Sequence, residues 1–433
     1  MPLFSVIIPV FNTEKYLKKC IKSVLTQKHS QTEIIIVEDC STDKSLKICN
    51  SYKKNSLVKI IRNKKNLGVA KSRNNGIFAA RGKYLLFLDS DDWLYPNCLS
   101  DLEKIVITRS KPDVIIGRYN SDGFPSSNKI LFKKSKPNTF SANNFFLLIN
   151  KLKFRPMVIW HYVVKKSFIE KKKLYFVDVK NGEDEEFGAR LLCSMKSCTF
   201  NKKNYYWHRT HKQSGLRYSM DLKSTESYLK ILVEYYKFIS KTTLTHQKLK
   251  FINTCIKFAL GEFSARIVLH NKKELKKLSK VFFNYIKNSK NILNKIKDKN
   301  TFLLFKNNKS TNSILSYQKK IKEKILTKVK NLKFKYSKIY VYCAAIHGFS
   351  TAQILVKEKF KIVSLIDDNK VLEKIKFMNI SVVNGKYFLK NKNQNFTKIL
   401  ILVCQQSIKT YNTIARKLIS KGIKKNQIIH IIY

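Results

Sequence analysis

Four short apolar runs, Ser5–Val10, Ile34–Val37, Val58–Ile61 and Tyr84–Leu88, alternate with amphipathic stretches at Glu14–Gln27, Asp43–Tyr52 and Val69–Ala80. Near-continuous β-branched runs read as strands buried on both faces. Their alternation with helical stretches at this spacing predicts a parallel sheet covered by helices. In such sheets ligands bind beyond the carboxyl ends of the strands. That rule singles out Phe11–Glu14, Glu38–Asp43, Asn63–Gly68 and Asp89–Asp92. Three of these four loops are acidic or carry small polar residues, although the chain as a whole has a formal charge of +57. Acid gathered at strand ends in so basic a chain marks a site.

The chain has 433 residues, of which 44% are hydrophobic, enough for two or three domains with buried cores. Beyond Asp92, residues 97–110 read as a helix, Val114–Gly117 as a strand and Asn120–Asn138 as a polar loop. Strand-like runs at Val158–Phe168 and Tyr205–Trp207 bracket the acidic stretch Glu183–Glu186. Residues 222–335 show helical periodicity. A second α/β unit follows, with strands at Ile339–Tyr342, Ile362–Leu365 and Ile399–Val403 and helices near Ser350–Lys359 and Ile408–Lys421. The fold class is therefore α/β: an N-terminal Rossmann-like sheet over 1–220, a helical Lys-rich middle over 221–335, and a smaller Rossmann-like domain over 336–433.

Of the 86 basic residues 75 are Lys and only 11 Arg, and Asn is abundant beside them. Nucleic-acid sites lean on Arg for bidentate contacts, so the charge reads as a compositional bias and no specific nucleic-acid partner is expected. A surface this positive is still drawn to polyanions and anionic lipid head groups. Residues 271–340 hold 21 Lys, no Arg and three acids (Glu274, Asp298 and Glu323). They fit a solvated helical linker or a patch that lies on an anionic membrane surface. No apolar run approaches the ~18–20 residues that span a bilayer, and the N-terminus lacks the pattern of a signal peptide. Nine scattered cysteines without a Cys-x-x-Cys pair suit reduced thiols. The expected location is cytoplasmic, with attachment at the inner face of the membrane as the peripheral option.

Three loops carry chemistry. Leu85–Leu88 runs straight into Asp89, Ser90, Asp91 and Asp92. Carboxylates this close repel, and the cluster persists most easily around a shared cation; Mg²⁺ typically takes one or two carboxylates plus substrate phosphates. The plain alternative is a helix cap and turn. Glu38 and Asp39 end the second strand, where a carboxylate can accept a base imide N–H, while Ser41 or Thr42 can equally cap the next helix. Asn66, Gly68 and Arg73 surround a helix N-terminus, which favours an anion.

With these motifs in view, residues 4 to about 215 resemble family-2 glycosyltransferases of the GT-A fold, the bacterial group that builds capsule, lipooligosaccharide and O-antigen. The matching stretches are Ser5–Asn12, Ile35–Asp43, Asn66–Asn74, Phe87–Asp92 and Glu183–Phe187. Where the family commonly has Asp-Asp-Gly-Ser, this chain has Glu38, Asp39, Cys40 and Ser41. The resemblance implies that Pro9, Val10, Asn12 and Glu14 line a nucleotide pocket, with Asn66 and Gly68 beside it. It implies that Asp39 binds the uracil imide and Arg73 supports the nucleotide side. Asp89 and Asp91 correspond to the Asp-x-Asp pair that holds the ribose and a Mn²⁺ or Mg²⁺ ion, with Asp92 assisting. Asp184 corresponds to the catalytic base and Glu183 to the residue positioning it. Tyr206, Arg209 and Ser214 match a later run that touches the diphosphate. The implied function is metal-dependent, inverting transfer of a sugar from a UDP-sugar donor to a hydroxyl of a growing, lipid-linked surface glycan.

The C-terminal unit resembles the Rossmann-like modules attached to some bacterial sugar transferases. Of the expected Gly-x-Gly-x-x-Gly turn only Gly348 remains, with Cys343 and Ala345 in the earlier positions. Asp367 and Asp368 supply the acid about 20 residues on. A packing or partner role, including oligomerisation, is expected there. His208 and His211 beside Arg209 form a candidate metal pair, though loop histidines among aromatics more often pack. Two other readings are an inactive nucleotide-binding scaffold and a basic nucleic-acid-associated protein. The second leaves the acidic strand-end loops unexplained.

Overall fold

The computed structural model describes the chain apart from residues 110, 122–139, 153–157, 210–218, 287–311, 333–335, 337, 343–345, 369–375, 379, 391–398, 406–407 and 433. Ser214, His211, Cys343, Ala345 and most of the expected loop after Asn120 lie outside the described residues. The chain divides into two compact units, residues 1–211 with 241–255, and residues 212–240 with 256–433.

The first unit begins β1 (Phe4–Val10), α1 (Glu14–Leu25), β2 (Thr32–Glu38), α2 (Ser45–Ser51), β3 (Val58–Arg62), α3 (Val69–Ala79) and β4 (Tyr84–Phe87). It continues β5 (Trp93–Leu94), α4 (Cys98–Thr108), β6 (Val114–Ser121), β7 (Phe140–Ser141) and α5 (Ala142–Leu152). A 3₁₀ turn (Ile159–His161), β8 (Tyr162–Lys165), α6 (Lys166–Lys172), α7 (Glu183–Ser194) and β9 (Ser197–His208) complete it. Strand order is β3-β2-β1-β4-β8-β6-β9-β5, with β7 on β9. β1 to β4 pair in parallel, whereas β8 runs antiparallel to both neighbours. Every residue of β1, β2 and β4 is buried, while the edge strand β3 is only partly covered.

Register sets the site. Val10 pairs with Glu38, and Glu38 with Arg62, so three strands end level. The Leu88 N–H bonds to the Ile7 carbonyl at 3.0 Å, so the chain leaves β4 beside the same edge. Helix α3 lies close against β1: a Cβ on Gly76 would stand 2.3 Å from Ile7 Cγ2. Ala70, Arg73 and Ile77 share its buried face at helical spacing. Arg73 is thereby drawn inside.

The apolar run Val158–Phe168 corrects one expectation. Only Tyr162–Lys165 is strand; a 3₁₀ turn precedes it, and Phe168 is buried on α6. A short apolar run does not distinguish a buried strand from a buried helical turn. The expected polar loop at Asn120 likewise begins later, because Asn120 and Ser121 extend β6 beside Trp207 and His208.

In the second unit helices α8 (Leu222–Lys241), α9 (His246–Ile267), α10 (Lys272–Ile286) and α11 (Asn312–Val329) precede a sheet that is parallel except for one short edge strand; parts of α8 and α9 belong to the first unit. That sheet is built from β10 (Lys338–Tyr342), α12 (Ile346–Lys357), β11 (Ile362–Asp367), β12 (Lys376–Phe377), β13 (Ile380–Asn384), α13 (Gly385–Lys390), β14 (Ile399–Cys404), α14 (Ile408–Ile419) and β15 (Ile428–Ile431). Its order β12-β13-β11-β10-β14-β15 places the first strand centrally, as in a doubly wound sheet. Asp368, beyond β11, is tied to Lys417 at 2.9 Å and to the Tyr342 hydroxyl at 3.0 Å. No disulfide joins the described cysteines, and no described helix is long and apolar enough to cross a membrane.

Gly117 on β6 gives a test of the packing. A Cβ there would stand 1.8 Å from the buried Tyr205 ring. Gly117→Ala is expected to destabilise the fold by about 2 kcal/mol, the scale of core overpacking. An unchanged denaturation midpoint contradicts this packing.

Candidate active site

The loops after β1 and β2 are stitched together by reciprocal hydrogen bonds. The Asn12 side-chain oxygen accepts from Thr42 N–H at 2.8 Å, and Ser41 Oγ accepts from Asn12 N–H at 3.2 Å. Asp43 Oδ2 accepts from Glu14 N–H at 3.0 Å, and Glu14 Oε2 from Lys44 N–H at 2.8 Å. Burial opposes ionisation of Asp43, but hydrogen bonds from Ser45 and from the backbone of Glu14 and Ser45 hold its carboxyl below the usual range. Glu38 Oε1 accepts from Ser41 N–H at 2.6 Å; buried Oε2 accepts no hydrogen bond and stands 3.7 Å from Arg62 Nε. Pro9 and Val10 form the buried end of β1, and the Val10 carbonyl receives Asp39 N–H at 2.8 Å.

Asp39 braces the third loop. Its Oδ1 accepts from Asn63 Nδ2 at 2.7 Å and Leu67 N–H at 2.8 Å, and its Oδ2 from Gly68 N–H at 2.8 Å. A carboxylate offers about four lone-pair positions, so three are engaged in holding residues 63–68. Asn66 is exposed beside this brace, and Asn63 reaches on to Ser72 Oγ at 3.1 Å.

Arg73 joins the second half of the site. Its guanidinium donates to Glu183 Oε1 at 2.9 Å and to Asp89 Oδ1 at 2.8 Å, with only 5% of the side chain exposed. Its buried Nε has no hydrogen-bond partner. Burial opposes its charge, but Asp89 and Glu183 outweigh burial and hold the proton more firmly than usual. One side chain from α3 thus links the carboxylates after β4 to the first turn of α7, which lies 110 residues beyond Arg73 in sequence.

Asp92 and Asp91 are held from β9. The buried Asp92 accepts the Tyr206 hydroxyl at 2.6 Å and the Arg209 N–H at 2.8 Å. The same hydroxyl accepts Asp89 N–H at 3.2 Å. Burial, then Asp89 and Asp91, push the Asp92 carboxyl up to about 8. Arg209 Nη2 donates to Asp91 Oδ2 at 3.2 Å, and its guanidinium lies 3.6 Å from the Tyr16 ring centroid. Trp160 stacks on Tyr206 at 5.1 Å and on His208 at 5.0 Å. His161, beside it, is held down to about 4 by burial.

Asp184 follows Glu183 in the first turn of α7, with its Oδ1 accepting the Glu185 N–H at 2.8 Å. Burial first, then Glu183 and Glu185, raise its carboxyl well above the ordinary range, with Arg73 opposing them. A carboxyl raised in this way can take up a proton, as Asp92 can.

The donor chemistry suits a hard divalent ion. Asp89 and Asp91 are carboxylates with 28% and 19% of their side chains exposed. Mg²⁺ or Mn²⁺ needs only one or two such groups when phosphate supplies further oxygens. No group of three or more metal-ligating side chains forms a ready cage among the described residues. Sequence reasoning placed Asn63 in a strand-end loop without giving it a role, and missed Tyr16, for which it had no signal.

The family model described as glycosyl transferase family 2 matches residues 5–162. The poly(ribitol-phosphate) β-N-acetylglucosaminyltransferase TarP of Staphylococcus aureus strain N315 is 31% identical over 286 residues, covering 63% of this chain and 82% of TarP. Glycosyltransferase GlyA of Streptococcus pneumoniae serotype 4 is 29% identical over 217 residues, 48% of this chain, and the match spans 31% of GlyA. The crystal structure of S. aureus TarS 1–349 in complex with UDP-GlcNAc matches with a TM-score of 0.53 at 19% identity, over 78% of this chain and 93% of that one, and so shares the fold. With the family model and most of TarP's length matched, the chain belongs to glycosyl transferase family 2.

Proposed function

We propose that this protein transfers a sugar from a UDP-sugar to a hydroxyl of a bacterial surface glycan, inverting the anomeric centre. The observation that supports it best is the pairing of Asp184, a carboxylate with raised proton affinity, with donor-side carboxylates tied to the same helix turn through Glu183, Arg73 and Asp89. Asp184 takes the acceptor proton as the oxygen attacks the anomeric carbon, and UDP leaves from the opposite face with the bonding electrons. Glu183 and Arg73 fix the base relative to the donor. Pro9, Val10, Asn12 and Glu14 shape the nucleotide side, and Asp39 sets the loop bearing Asn66 and Gly68. Asp91 with Asp89 would hold the divalent ion; such an ion, when bound, neutralises charge on the departing diphosphate. The names of TarP and of the TarS complex make UDP-GlcNAc the first donor to test.

UDP release from a panel of UDP-sugars, with Mn²⁺ or Mg²⁺ and with EDTA, tests the class. Turnover of one donor that EDTA abolishes is expected; failure to bind UDP even with metal contradicts the proposal. Asp184→Asn is expected to lower kcat by about 10²–10⁴-fold, the scale of a positioned base, while UDP binding stays within about twofold. Near-normal turnover contradicts the assignment. The sign of the pH dependence follows from the raised proton affinity of Asp184. Base function is present above its pKa and lost as pH falls through it, so the acid limb of kcat/KM lies well above pH ~4, where an ordinary carboxylate titrates. A limb near 4 contradicts this role.

A further inference from the structure

Two of the chain's 11 arginines lie on the two carboxylates that the proposed function gives to a divalent ion. Arg73 is locked between Asp89 and Glu183. Arg209 is held differently, and each contact aims it at Asp91. Its backbone N–H is fixed to Asp92 Oδ1 at 2.8 Å, and Asp92 is itself braced by the Tyr206 hydroxyl at 2.6 Å. Its Nε reaches the Asp91 carbonyl at 3.3 Å, its Nη2 reaches Asp91 Oδ2 at 3.2 Å, and the guanidinium lies over the Tyr16 ring. Carboxylate, carbonyl and aromatic ring together satisfy a cation.

We propose that Arg209 is the resident cation of Asp91 in the nucleotide-free protein, so that a divalent ion competes with this guanidinium for the carboxylate. The inference rests on the reading of Asp91 as a metal ligand. One carboxylate oxygen engaged by a guanidinium N–H is a poor ligand for an ion, and two cations crowded on one carboxylate repel. A diphosphate changes the balance, because its oxygens add ligands for the ion and offer the guanidinium a bidentate partner. Asp92 and Tyr206 act as positioning residues that set the Arg209 backbone.

The test is Mn²⁺ affinity of the full chain, measured by electron paramagnetic resonance without nucleotide and again with saturating UDP. Wild type is expected to bind Mn²⁺ weakly alone and tightly with UDP. Arg209→Gln is expected to bind Mn²⁺ alone about tenfold more tightly than wild type, equivalent to ~1.4 kcal/mol, and Arg209→Lys to fall between them. Lys19→Gln removes one positive charge from a side chain over Trp93, 3.2 Å from its ring centroid, and controls for the general field. Its affinity is expected to stay within about twofold of wild type. Equal affinity in wild type and Arg209→Gln, with both folded by thermal melting, overturns the inference and leaves the metal reading intact. An equal gain in Lys19→Gln also overturns it, assigning the effect to net charge. Wild type that takes no Mn²⁺ even with bound UDP overturns the metal reading and this inference together.

Discussion

A single buried guanidinium, Arg73, holds the two chemical halves of this site in register. Glu183 and Asp89 are far apart in sequence, and both approach the same side chain within 3 Å. Removing one partner of a buried ionic network leaves the other charges uncompensated, at a cost of about 3–5 kcal/mol. The network therefore favours one arrangement of α7 against the strand ends. Arg73 reaches that position because α3 presses on β1 at Gly76, turning the face of Ala70, Arg73 and Ile77 inward.

The same principle recurs around it. Strand ends that gather acid need something to satisfy or neutralise each carboxylate, and the chain uses a different device for each. Asp39 is covered by N–H donors of the next loop, Asp92 by a tyrosine and a backbone N–H, Asp89 by Arg73, and Asp91 by Arg209. The two more exposed members, Asp89 and Asp91, bear charged partners and have the oxygen chemistry for a divalent ion. The buried members, Asp39 and Asp92, are tied to neutral donors and shape the loops. Burial and the charge of the partner are sorted along the same edge.

Much of the first unit was legible in the sequence. β1, β2 and β4 are continuous apolar runs because they are buried on both faces, and the strand-end rule pointed to all four loops. The Asp89–Asp92 stretch was found by its strand-end position together with its charge, and Glu183–Glu186 by its charge against a basic background. What each carboxylate touches was not legible. The implied uracil contact of Asp39 gave no hint that three N–H groups already converge on it, since those partners come from a loop 24 to 29 residues away. Phe168 was misread because the short run that ends on it fits either periodicity. In the second unit β12, β13 and β15 were passed over. They are two to five residues long, too short for alternation to stand out.

A double-mutant cycle of Arg73→Gln and Glu183→Gln in denaturant unfolding tests most directly whether the guanidinium couples the halves of the site. Contacting members of one network show interaction energies of about 0.5–3 kcal/mol, and a buried pair belongs at the upper end. A coupling of about 2 kcal/mol or more is predicted. Additive effects, with coupling near zero, would contradict the claim that this contact holds the first turn of α7 to the Asp89 loop.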